Sequence, residues 1–260
     1  MEQRCWLSFL TAICETTPTS IYLFNHFPSI EQTTPKSLQE FCDKNRGAMA
    51  FQYDVRWILY EIGKVFLSYK QIIGSNKQSS ILNSLAKGAT KETRYFAFCK
   101  HFKCYRFGTY VFMLYTELLH YLCGIDFEAV IDPRTNHSVR SGLIYACGFE
   151  GFMHCVKKNG VKPTDSEIML LKSELSEIIY NVRKLDIIKR HKSTWAIETT
   201  LCTYNKTKHG RRYLGFYKNR QAKEIKRLVE YTNNIGEKFD WQPLIEYHNN
   251  WGNWNNRYIE

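Results

Sequence analysis

A mainly helical chain with one small β element, an α-rich α+β fold, is predicted by three observations. Apolar residues recur at spacings of three and four through much of the first 185 positions. A capping box opens a heptad run at 164–185, and at 194–204 the apolar period shortens to two. With 260 residues, 44% hydrophobic and 15% aromatic, the chain can bury a core without a disulfide or a metal. The same apolar content excludes a wholly disordered chain.

The apolar run from Cys5 to Cys14 follows Glu2 and lacks a small-x-small cleavage pattern, so it reads as a first amphipathic helix and not a signal peptide. Thr33-Thr34-Pro35 marks a loop, and Ser37 is placed to cap a short helix through Cys42. From Ala48 to Ile73, residues Val55, Ile58, Leu59, Ile62, Val65, Phe66 and Tyr69 describe one helical face that Gly74 ends. Thr90 to Cys123 is crowded with Phe and Tyr, too broadly spread for one stripe, which predicts burial on most sides or an interruption at Gly108. Its stretch from Phe107 to Cys123 holds Glu117 and His120 and is short for a bilayer span, so no membrane partner is expected. Asp132-Pro133-Arg134-Thr135-Asn136 is a turn. A further helix from Ser141 to Lys157 is stopped by Asn159-Gly160.

Thr164 and Glu167 form the capping box. Behind it Ile168, Leu171, Leu175, Ile178, Val182 and Leu185 make a seam that predicts one continuous helix over 164–190. Such a seam either docks on the chain's own core or also pairs two chains, as a homodimer or a larger assembly. Thr194 to Tyr204 alternates through Trp195, Ile197, Thr199, Leu201 and Thr203 and reads as a strand; Arg212 to Lys218 reads as its antiparallel return. Gln221 to Tyr231 is helical again, and the tail is rich in Asn and Trp. Two regions follow: an aromatic-rich helical body at 1–160, and at 161–260 a capped helix, basic hairpin, basic helix and tail.

Charge is concentrated. Arg183 to Arg227 holds fourteen Lys and Arg against Asp186, Glu198 and Glu224, an excess equal to the +11 of the whole chain. A concentration of this kind attracts polyanions. Lys189, Arg190, Lys192, Lys206, Lys208, Arg211, Arg212, Lys218, Arg220, Lys223, Lys226 and Arg227 are therefore the candidate nucleic-acid contacts. Tyr204, Tyr213, Phe216 and Tyr217 are interleaved to stack on bases.

Catalytic signals are weaker. Asp126, Glu128 and Asp132 lie close enough in sequence to hold a divalent ion for a metal-dependent nuclease, or to form a solvated acidic loop. His137-Ser138-Val139-Arg140 resembles the His-x-x-Arg box of tyrosine recombinases, but the family's other arginine and lysine have no counterpart. Gly142-Leu143-Ile144-Tyr145-Ala146-Cys147-Gly148 resembles the helix motif of LAGLIDADG homing endonucleases, with Cys147 where the metal-binding acid stands. Neither family is assigned. Cys99, Cys104, His120 and Cys123 are zinc-type donors at a non-standard spacing, so no metal and no cofactor are expected. Nine cysteines, an odd number without a Cys-x-x-Cys pair, fit a reducing, cytoplasmic setting.

The expected function is non-enzymatic nucleic-acid binding, DNA or RNA, in a phage, plasmid or other mobile-element setting. The alternatives are an assembly protein docking through its seam and basic face, and a metal-dependent nuclease. A buried seam makes one quantitative demand: Leu175→Ala should lower stability by about 2–5 kcal/mol in a urea titration.

Overall fold

The computed structural model describes residues 1–51, 56–156, 161–185, 193–211 and 216–250. Helix accounts for 71% of it, and among the described residues there is no strand. In chain order the helices are α1 (Glu2–Cys14), α2 (Thr17–His26), α3 (Pro35–Lys44), α4 (Arg56–Tyr60), α5 (Ile62–Ile73), α6 (Gln78–Leu85) and α7 (Lys91–His101). They continue with α8 (Thr109–Cys123), α9 (His137–Cys147), a 3-10 helix (Glu150–Cys155), α10 (Asp165–Lys184), α11 (Thr194–Lys208), α12 (Phe216–Asn234) and α13 (Gln242–Asn250). No described helix is long and apolar enough to cross a membrane.

The chain forms two compact units, one from 1–89, 96–126 and 215–260, the other from 90–95 and 127–214. Residues 161–260, read from the sequence as one region, contribute to both.

The first unit is built on stacked rings. Phe9 of α1 lies 4.0 Å from Tyr69 of α5, and Trp6 packs on Phe66 at 5.2 Å. Tyr115 of α8 closes the cluster against Phe102 at 5.4 Å. Buried phenols need partners. The Tyr69 hydroxyl donates to Gln78 Oε1 at 2.8 Å and lies 3.2 Å from that of Tyr115. The single helix expected over 48–73 is two, α4 and α5, parted at Glu61, where the chain leaves helical geometry. Gly74, at φ 63°, ends α5 as anticipated. Gly108 likewise divides the aromatic stretch, standing as the N-cap of α8.

In the second unit Thr164 Oγ1 accepts from Glu167 N, and Glu167 Oε2 accepts from Thr164 N at 2.6 Å, completing the capping box of α10. The seam behind it is only partly buried. Ile168, Leu171 and Leu175 are inside, Ile178 and Val182 are half-buried, and Leu185 is 47% exposed. The reason is length: α10 has 20 residues, whereas α9, on which it packs, has 11. The helix ends at Lys184, and 186–190 lie outside the described residues.

The expected β-hairpin is replaced by helix. Ser193 caps α11 by accepting from Ala196 N, and the helix buries Thr194, Trp195, Ile197, Glu198, Leu201 and Cys202. That set satisfies the three-and-four spacing. It takes in Trp195, Ile197 and Leu201 of the alternating residues, while Thr199 is exposed and Thr203 half-buried. Packing on α9 overrides the strand preference of a Thr-rich stretch. The supposed hairpin loop is a helix end. Gly210 sits at φ 64°, its N–H donates to Thr207 O, and Arg211 N donates to Lys206 O, each at 2.9 Å. Of the return strand, 212–215 lie outside the described residues, and 216–218 begin α12.

Backbone contact explains why α9 and α11 pack so closely. A Cβ on Gly142 would lie 2.0 Å from Leu201 O. Even a methyl group there forces the helices apart. Gly142→Ala should therefore cost about 1–3 kcal/mol or more, read as a lower urea midpoint at unchanged slope.

Candidate functional site

The segment that carries the charge contains two acids whose surroundings matter more than their number. Glu198 is 4% exposed and accepts from Asn136 Nδ2 at 3.1 Å. Asn136 in turn caps α9 through Val139 N, so this carboxylate orients a helix cap. Glu224 is 3% exposed and accepts from Thr19 N at 3.1 Å and Thr19 Oγ1 at 2.6 Å. Thr19 lies in the first turn of α2, whose own N-cap, Thr16, makes no side-chain cap bond. A carboxylate from α12 thus terminates a helix 205 residues away, where the positive end of the helix dipole favours it. Burial pushes the Glu224 carboxyl above its usual range, and the Thr19 bonds oppose that. Both acids face inward. Asp186 lies outside the described residues.

The cations divide by unit. In the second, Lys208 and Arg211 are exposed and Lys206 half-exposed at the C-terminal end of α11, where the helix dipole favours positive charge. Lys208 Nζ lies 5.5 Å over the ring of Tyr204, which is 37% exposed. In the first unit, α12 buries Glu224, Ile225, Leu228 and Thr232, and Lys223 and Lys226 stand on its exposed side. Lys226 lies in loose contact with Glu230, at 3.8 Å. Lys218 is half-exposed. Arg220 and Arg227 bind the chain to itself. Arg220 Nη2 donates to Phe51 O at 3.2 Å and Arg227 Nε to Ala48 O at 2.9 Å. Lys189, Arg190, Lys192 and Arg212, together with Tyr213, lie outside the described residues.

The three candidate catalytic carboxylates are engaged separately. Asp126 Oδ1 lies 3.8 Å from His120 Nδ1. Glu128 accepts from Arg183 Nη2 at 2.6 Å and from Thr194 N and Oγ1 at the start of α11. Asp132 faces Lys172 Nζ at 3.3 Å and accepts from Arg134 N within its turn. Of the zinc-type donors, Cys104 donates to Val65 O, Cys123 lies 3.6 Å from Cys5, and His120 Nδ1 is 3.2 Å from Ile125 O. Among the described residues one set of side chains is grouped as a metal site would be: His154, Cys155 and Glu167. Their separation in sequence hides them, and no spacing rule singles them out.

No family model, no curated protein and no solved structure matches the chain.

Glu224 gives the test of this arrangement. Glu224→Ala strands the Thr19 N–H and should cost about 1–3 kcal/mol, whereas Glu224→Gln retains an acceptor and should cost less. Thermal melts of both variants at pH 7 check the order.

Proposed function

We propose that the protein is a non-enzymatic nucleic-acid-binding protein that meets phosphates with the exposed cations of α11 in the second unit and, independently, with those of α12 in the first. One observation carries the reading. Glu198 and Glu224, acids of the basic segment, are buried and hydrogen-bonded to Asn136 and Thr19, whereas Lys208, Arg211, Lys223 and Lys226 face solvent. Lysines and arginines concentrated on solvent-facing helix positions raise the local potential and are open to a polyanion. Tyr204, exposed beside Lys208, adds a ring on which an unpaired base can stack. Seven of the nine cysteines are buried and all nine are free thiols, which supports a reducing, cytoplasmic setting.

A second reading, docking on another protein or a second copy, is favoured by the uncovered end of α10, where Tyr180 is 59% and Leu185 47% exposed.

A salt series separates the two. Fluorescence titrations of labelled duplex and single-stranded oligonucleotides compare wild type with the quadruple variant Lys208→Ala, Arg211→Ala, Lys223→Ala and Lys226→Ala. Exposed positions of this kind change stability by only about 0.5 kcal/mol each. Binding should weaken for every sequence, and the log–log salt slope should flatten by about 0.9 for each duplex phosphate no longer neutralised. Equal affinity and equal slope would remove these cations from the reading and favour the docking alternative.

A further inference from the structure

We propose that His154, Cys155 and Glu167 form a binding site for a zinc-type divalent cation. The three donor atoms, an imidazole nitrogen, a thiol sulfur and a carboxylate oxygen, lie within 4.8 Å of one another. They come from two elements of the second unit, the end of the 3-10 helix and the first turn of α10. His154 Nε2 already stands 2.8 Å from Glu167 Oε1.

The carboxylate is held in place for the role. Glu167 Oε2 accepts from Thr164 N at 2.6 Å and Thr164 Oγ1 at 2.8 Å, which fixes the group and presents Oε1 to the other two donors. The cap thereby acts as the outer support that orients a ligand. His154 is 44% exposed at its side chain and offers a route for the ion, whereas Cys155 is wholly buried. Only a modest contraction brings three donors at this separation to bonding distance from one ion. Thiolate and imidazole together select zinc or cobalt over magnesium or calcium.

The probe is Co²⁺, added to the full-length, chelator-treated protein and followed by absorbance, with a parallel melting curve in Zn²⁺. Wild type should develop a thiolate-to-cobalt charge-transfer band, and its melting temperature should rise with zinc. Cys155→Ser should abolish the band. His154→Ala, at an exposed position that leaves folding intact, should weaken cobalt binding about tenfold or more, at least what losing an outer-shell partner costs. Cys147→Ser, outside the cluster, should leave the titration unchanged. No band in wild type overturns the site. So does a band that survives Cys155→Ser, or an affinity unmoved by His154→Ala.

Discussion

Carboxylates supplied from a distance to helix N-termini tie one helix of this fold to another. The first-turn N–H groups of a helix lack intrahelical acceptors, and several helices here have no capping side chain of their own. Lys77, at the N-cap of α6, makes no side-chain cap bond; Glu2 of α1 supplies both oxygens instead, accepting from Gln78 N at 2.7 Å and Ser79 N at 3.2 Å. Glu224 does the same for α2, and Glu128 adds an acceptor at the start of α11 beside its Ser193 cap. Each contact couples the end of one helix to the placement of another. The bonds therefore set tertiary register as well as local structure.

This use of acid shapes the surface. A chain with 25 Asp and Glu against 36 Lys and Arg has little negative charge to spare, and some of it is turned inward. Where Glu198 and Glu224 turn into the core, lysines and arginines occupy the solvent-facing positions beside them. Architecture and electrostatics are two outcomes of the same placement. The basic character of α11 and α12 follows from where their acids go, as well as from how many cations they carry.

Legibility in the sequence follows the range of the interaction. The α10 capping box is a contact between residues three apart, so Thr164 and Glu167 announce it, and Gly74 announces the end of α5. The strand expected over 194–204 is a helix because apolar alternation over a few residues is also contained in a helical pattern. What decides between them is Gly142, about fifty residues earlier, whose bare backbone admits α11 as a helix. The candidate site behaves likewise. The charge excess is plain from composition, but the structural duties of Arg220 and Arg227 depend on carbonyls at Phe51 and Ala48. No local pattern encodes a partner that far along the chain.

The crossing at Gly142 bears on how relatives of this chain are to be sought. Backbone meets backbone there, with an oxygen where any side chain would begin. Most core positions tolerate exchange among apolar residues of similar volume, so a lineage can drift until its aligned residues no longer betray common descent. A descendant that keeps this crossing cannot drift at position 142 without first moving a helix. In any descendant that keeps this crossing, position 142 is expected to stay glycine while the apolar residues around it exchange.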